Sequence, residues 1–237
     1  NRRNKRRLKM GKSSRRRQRD TSTLKRIEQN IERSNSISNP LIDLGLTALT
    51  SFEFSSPSTI PAANYVIRFF QSPLPSDLHK ECLSLFEKNM AELYRNSSWG
   101  LNLDEKNEEF KHKDARFLVV TEETNRVLAF SHFRFEPDDE YKPLEEIMYI
   151  YEVQVDEHAR RVGMGRRLMS IMELIAMRLQ MRRVVLTVFK SNISAMNFYL
   201  KTMKYSVDAT SPSQHEGEQN NSADYEILSK ITWNGIT

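Results

Sequence analysis

The chain has 237 residues, 38% of them hydrophobic, enough to bury one α/β domain with extensions. Its single cysteine, Cys82, excludes an internal disulfide and a cysteine-based zinc site, and its five histidines show no ligand spacing, so no metal is expected. The net charge of +5 is uneven: residues 1–19 hold 11 of the 36 Lys and Arg and no acid, leaving 25 basic against 31 acidic residues, a balance that favours a cationic substrate over DNA.

Residues 1–19 read as a disordered basic arm, suited to nuclear import or a non-specific nucleic-acid contact, or simply as a solvated tail. Within the arm Met10-Gly11 resembles a translation start, although Arg15 stands where a myristoylation match needs Ser or Thr. Residues 20–63 form an extension: a helix from Thr21 to Ser34, with Leu24, Ile27 and Ile31 at helical spacing, then a Ser/Pro/Asn-rich loop with a short strand at Ser51–Phe54. A strand over Tyr65–Gln71 is broken by Pro73 and Pro75, and an amphipathic helix follows over Leu78–Tyr94. The polar stretch Asn102–Asp114 reads as a short helix. Strands follow at Arg116–Thr121, Val127–Phe135 and Ile147–Val155, the first two joined by the turn-like Glu123-Thr124-Asn125. A helix over Arg166–Gln180, a fully apolar strand over Val184–Phe189, a helix over Ser191–Thr202 and a strand over Lys204–Val207 come next. A loop over Asp208–Ser222 and a closing strand at Tyr225–Ile231 complete the domain, residues 64–233, with a tail at 234–237. No apolar run reaches the ~18 residues of a membrane span. The fold class is mixed α/β, a meander followed by β-α-β-α-β.

Between the strand ending at Val155 and the next helix lies Arg160-Arg161-Val162-Gly163-Met164-Gly165. Two glycines let the backbone turn with its N–H groups exposed, and the helix adds the positive end of its dipole. Arg160, Arg161 and Arg166 supply cations for bidentate phosphate contacts. Leu168 occupies the place of a third glycine, so this is not a dinucleotide fingerprint. It reads as an anion cradle for a cofactor pyrophosphate, and an ordinary strand-to-helix connection is the plainer alternative.

The order strand, Arg-x-x-Gly-x-Gly, helix, strand, then Asn192-x-x-Ala195-x-x-Phe198-Tyr199 resembles the GNAT acetyltransferase superfamily. The strings AFSHFRFE (Ala129 to Glu136), YIYEVQV (Tyr149 to Val155), LTVFKSN (Leu186 to Asn192) and DYEILSK (Asp224 to Lys230) are similar to the NatD-type N-terminal acetyltransferases. The resemblance implies a twisted mixed sheet split between two parallel strands, flanked by helices. Acetyl-CoA would lie in the split, its pyrophosphate held by Arg160, Arg161, Gly163, Gly165 and Arg166. Val153, Val155, Asn192 and Phe198 would line the rest of the cofactor, although Asn192 equally reads as a helix cap. The implied substrates are the amino termini of histones H-four and H-two-A, which begin Ser-Gly-Arg-Gly. The implied setting is a monomer in nucleus and cytoplasm, the basic arm touching nucleosomes.

Transfer requires a neutral amine, and an α-amine with a pKa near ~8 loses its proton far more easily than lysine at ~10.4. Glu152, on the strand that should flank the thioester, is the expected base, and the resemblance implies the same, with Trp99 helping to hold the site; their alternatives are a solvent-facing strand residue and a core anchor. Strict alternation sends Tyr149 and Tyr151 to one face and Glu152 to the other, whereas the resemblance implies that all three meet the peptide, so a β-bulge is expected, which would also free N–H groups such as that of Val153. The resemblance implies Trp99, Glu136, Tyr149, Tyr151, Thr187 and Tyr225 as peptide-binding residues, with Glu136, or Asp138 and Asp139 in its stead, meeting the substrate arginine; the sheet residues among them equally read as core packing. Tyr199 either protonates the departing thiolate or packs against the cofactor. A lysine or polyamine acetyltransferase, or a chromatin adaptor with a structural CoA site, are the competing functions.

Overall fold

Apolar runs that are buried on both faces build the centre of the molecule. The computed structural model describes residues 21–53, 64–121, 126–138, 144–215 and 223–233. The basic arm, the Glu123-Thr124-Asn125 turn, Asp139 and the 234–237 tail lie outside the described residues, as do Phe54 and residues 216–222 of the loop after Asp208. The strands are β1 (Ser51–Glu53), β2 (Asn64–Gln71), β3 (Arg116–Thr121), β4 (Val127–Asp138), β5 (Glu145–Val155), β6 (Arg183–Phe189), β7 (Ser206–Val207) and β8 (Tyr225–Ile231). They form one sheet in the order β1-β2-β3-β4-β5-β6-β8-β7, antiparallel throughout except for the parallel pair β5 and β6.

The helices are α1 (residues 21–36), α2 (Pro40–Asp43), α3 (Ser76–Arg95), α4 (Leu103–Lys111), α5 (Met164–Arg178) and α6 (Ile193–Asn197). One face of the sheet carries α3 and α4 over a core of Phe86, Phe110, Phe117 and Phe130. The other carries α5, whose stripe of Leu168, Met169, Ile171, Met172, Ile175 and Ala176 is buried against Leu118, Phe133, Met148 and Ile150. Each large side chain of that stripe stabilises the fold by ~1.5–3 kcal/mol. Among the described residues no helix is long and apolar enough to cross a membrane, and no cluster of His, Cys, Asp or Glu is arranged to hold a metal.

Four elements differ from the sequence reading in ways that bear on the site. Strands β4 and β5 extend three residues later and two earlier than expected, because they pair with each other as far as Asp138 and Glu145. The helix after the cradle starts at Met164, directly after Gly163 in the left-handed conformation at φ 93°. The expected helix over Ser191–Thr202 stops at Asn197 and continues as a π turn, Phe198–Thr202, with the Met203 N–H bonded to the Phe198 carbonyl.

Candidate active site

Strands β5 and β6 pair only from Ile147 with Arg183 to Ile150 with Leu186. From Tyr151 onward β5 has no registered partner on that side, so the sheet opens at its centre. On its other side β5 shifts register: His132 faces Glu152 and Phe133 faces Ile150, so Tyr151 is the extra residue of a β-bulge. The bulge resets the alternation. Met148 and Ile150 enter the α5 core, while Tyr151 and Glu152 in succession reach the α3 and α4 side.

At the carboxyl end of β5 sits the anion cradle. Arg161 takes φ 67° and Gly163 φ 93°, and a Cβ on Gly163 would meet nothing within 4 Å. No side chain caps the start of α5, so its first N–H groups remain available to a ligand. A Cβ on Gly165 would stand 3.5 Å from Phe198, which therefore lies directly over the turn. Arg161 and Arg166 are exposed and make no side-chain hydrogen bond or ion pair among the described residues. These features fit a pyrophosphate. Arg160 departs from the simple expectation: its guanidinium donates to the Val155 carbonyl at 3.1 Å and to Asn89 Oδ1 at 2.8 Å, so it is partly a frame for the cradle. Val153 and Val155 are half-buried and pack on the α5 core. Asn192 accepts the Ala195 N–H at 3.1 Å, so its carbonyl caps α6, the alternative role the sequence left open.

Glu152 is buried, which overturns its reading as a solvent-facing residue. Its Oε1 accepts from Lys106 Nζ at 2.8 Å and its Oε2 from Gln154 Nε2 at 2.7 Å. Lys106, from α4, also donates to Glu109 at 2.8 Å and lies 4.9 Å from the centre of the Phe86 ring. Burial raises the Glu152 pKa, and Lys106 and Gln154 pull against it. For Lys106, burial opposes the charge, but the two glutamates outweigh it and hold the ammonium well above its usual range. Sequence reasoning missed this lysine. The stretch around it has the composition of a solvated helix, and the one signal in the sequence is its place one turn before the apolar Phe110.

Tyr151 is held from both sides. Its ring stacks on fully buried His132 at 4.8 Å and 22°, and His132 stacks in turn on Phe117 at 4.8 Å and 15°. The Arg134 guanidinium lies 4.4 Å from the Tyr151 ring centre. The Tyr151 hydroxyl donates to Glu136 at 3.1 Å, placing that half-buried carboxylate at the mouth of the site, with burial raising its pKa. Tyr149 packs against Tyr151 at 4.9 Å, and its hydroxyl shares a 2.6 Å hydrogen bond with Thr187. Trp99 is 50% exposed, which removes the core-anchor reading; its ring leans on Tyr225 at 5.1 Å and Phe189 at 5.3 Å. Asp138 does not join this group, because it pairs with buried Arg183 at the far end of the sheet, beside Glu145 and Asp208. Tyr199 is buried against Phe198 and Tyr205, and burial, then the nearby Glu152 charge, keeps its hydroxyl protonated across the working range.

The sequence matches the acetyltransferase (GNAT) family over residues 80–205, more than half of the chain, a stretch that contains β3 to β6, the cradle and Glu152. In structure the chain is similar to an acetyltransferase of the GNAT family from Staphylococcus aureus, at 12% identity over 70% of this chain and 99% of that one, with a TM-score of 0.52. It is also similar to an acetyltransferase from Streptococcus agalactiae, at 13% identity over 70% of this chain and 98% of that one, again with a TM-score of 0.52. At such identities the likeness is one of fold. Combined with the family match and a cradle at the open end of a split sheet, it identifies the protein: this chain belongs to the GNAT family of acetyl-CoA-dependent acetyltransferases.

Proposed function

We propose that the chain transfers acetyl from acetyl-CoA to the free N-terminal amine of histones H-four and H-two-A, whose chains begin Ser-Gly-Arg-Gly. The observation that carries this reading is the bulge at Tyr151, which gathers Tyr149, Tyr151 and a buried, ion-paired Glu152 beside the open end of the β5/β6 split. When bound, acetyl-CoA supplies the acetyl group as a thioester; Arg161, Arg166, the Gly163 turn and the first N–H groups of α5 are the parts that would hold its pyrophosphate.

The amine must lose a proton before it can attack. At pH 7 roughly a tenth of α-amines are already neutral, against about one lysine in 2,500, so a carboxylate suffices as base for the former. Glu152 takes that proton at a carboxylate oxygen, directly or through one water. Trp99, Tyr225, Tyr149 and Thr187 frame the small first residues, and Glu136 offers the substrate arginine a carboxylate. Tyr199, buried against Phe198 and Tyr205, either packs beside the cofactor or gives its hydroxyl proton to the departing thiolate, water being the other donor. Histone tails would be met in nucleus and cytoplasm, with the basic arm adding a contact to nucleosomal phosphate.

The test uses purified protein, labelled acetyl-CoA and a Ser-Gly-Arg-Gly peptide with a free or a blocked amino terminus. Label on the free terminus alone supports the reading. Label on lysines of the blocked peptide points instead to lysine or polyamine chemistry, and CoA binding without any transfer points to an adaptor.

A further inference from the structure

Asn89 lies four residues beyond Leu85 and three beyond Phe86, on the buried face of α3. Its side-chain amide is fully engaged by two functional segments. Nδ2 donates to Gln154 Oε1 at 3.0 Å and to the Val155 carbonyl at 3.2 Å, while Oδ1 accepts from Arg160 Nη2 at 2.8 Å. Gln154, itself buried, uses the other end of its amide to donate to Glu152 Oε2 at 2.7 Å. The bonds therefore run with one polarity, each group donating to the next: Arg160 to Asn89, Asn89 to Gln154, Gln154 to Glu152. Neither amide can flip. Turning Asn89 sets its oxygen against the Val155 carbonyl, and turning Gln154 sets its oxygen against the Glu152 carboxylate.

We infer that Asn89 and Gln154 are positioning residues that couple the anion cradle to the base, so that occupation of the cradle and the orientation of Glu152 are linked. This rests on the cofactor site proposed above, and not on which amine is acetylated. An anion at the cradle draws on the same guanidinium that donates to Asn89. Any change in that bond is passed through a chain with no slack to the carboxylate on the bulged strand. Coupling between two sites is reciprocal, so a defect beneath the base must also be felt as a change in CoA affinity.

That reciprocity supplies the test. CoA dissociation constants are measured by calorimetry for the wild type, Arg160→Ala, Gln154→Leu and the double variant. Gln154→Leu, which lies away from the cradle, should weaken CoA roughly 5-fold while Arg160 is present and have almost no effect once Arg160 is gone. The same factor in both backgrounds overturns the inference. Should Gln154→Leu fail to fold, Glu152→Gln replaces it in the same cycle, with the same expectation. A kinetic arm separates positioning from mere support: Arg160→Ala should lower kcat at saturating acetyl-CoA as well as raise its KM, and a change in KM alone refutes the link. A wild type that binds CoA and shows the coupling, yet acetylates no free amino terminus, would sink the proposed substrate and leave the relay standing. Transfer to the peptide with a strictly additive cycle does the reverse, and a chain that binds no CoA overturns both.

Discussion

Lys106→Met isolates what keeps Glu152, the proposed base, ionised. The ammonium and the Glu152 carboxylate are 2.8 Å apart, with side chains only 9% and 4% exposed, so water can do little to replace the lost partner. Removing one member of a buried pair costs ~3–5 kcal/mol, because the remaining charge is stranded, and for a domain of this size that lowers Tm by roughly 10 °C. The stranded carboxylate responds by holding a proton more tightly in the folded chain than in the unfolded one. Stability gained from a raised folded-state pKa is present at low pH and lost as pH climbs through that pKa, so the deficit of Lys106→Met should shrink on acidification. Turnover at neutral pH should fall, since a more tightly held proton leaves a smaller fraction of Glu152 able to accept one. Adding Glu152→Gln to Lys106→Met should restore the part of the lost Tm that comes from Glu152, the Glu109 carboxylate still lacking its lysine, while kcat stays low. Thermal melts from pH 5 to 8 on the three proteins, with initial rates on the peptide, decide the matter. A single variant as stable as the double, or a deficit that does not change with pH, would refute the reasoning.

His132 offers a test of the opposite sign. Burial lowers its pKa to about 4, and neither ring nitrogen has a hydrogen-bond partner among the described residues, Glu109 being 3.5 Å away. The unfolded chain takes up that proton near 6.5, so stability is full above ~6.5 and falls by ~3 kcal/mol as pH drops toward 4. His132→Phe, which keeps the stack between Phe117 and Tyr151, should flatten that part of the pH–Tm curve. Gly165→Ala meets Phe198 and Val155 only at ordinary contact distance, so melting should move by less than ~0.5 kcal/mol. Calorimetry should nonetheless show weaker CoA, and an unchanged affinity would mean that no ligand approaches the cradle there. Trp99→Ala should leave Tm nearly unaltered, as half the ring is already in water, and raise the peptide KM several-fold; a large loss of Tm would return Trp99 to a structural role.

Legibility in the sequence followed the reach of the physics involved. Helix α5 and the strands around it were readable because apolar spacing reports burial directly, whereas the Arg-Gly turn by itself read equally as an ordinary connection and gained its meaning from the strings on either side of it. A bulge was expected too, from the conflict between strict alternation and the family's gathering of Tyr149, Tyr151 and Glu152, but its position depends on pairing with His132 and Phe133, which no local pattern reports. Lys106 was opaque for a related reason. Its partner is 46 residues away, and its neighbours Asp104, Glu105, Asn107 and Glu108 have the polarity of a water-facing helix. Asn89 reads locally as one polar position on an amphipathic helix, and only the return of β5 beneath α3 gives its amide three partners. The end of α6 is similar: the π turn sets Phe198 over Gly165 and Tyr199 into the core, a choice made by tertiary contact over propensity.

In the proposed mechanism strand β5 carries both halves of the chemistry, and its two irregularities depend on each other. The loss of pairing with β6 after Ile150 leaves the backbone of Tyr151 to Val155 without a strand neighbour on one side, a cost that a closed sheet would avoid. Buried backbone N–H and C=O groups call for partners, and an extended, amide-bearing arm such as that of acetyl-CoA has the donors and acceptors to pair there as a missing strand would. The bulge on the other side turns Glu152 toward Lys106 at the point where that pairing is absent. Restoring regular pairing at Tyr151 would rotate Glu152 into the α5 core and strand its charge, so the open edge and the placed base stand or fall together.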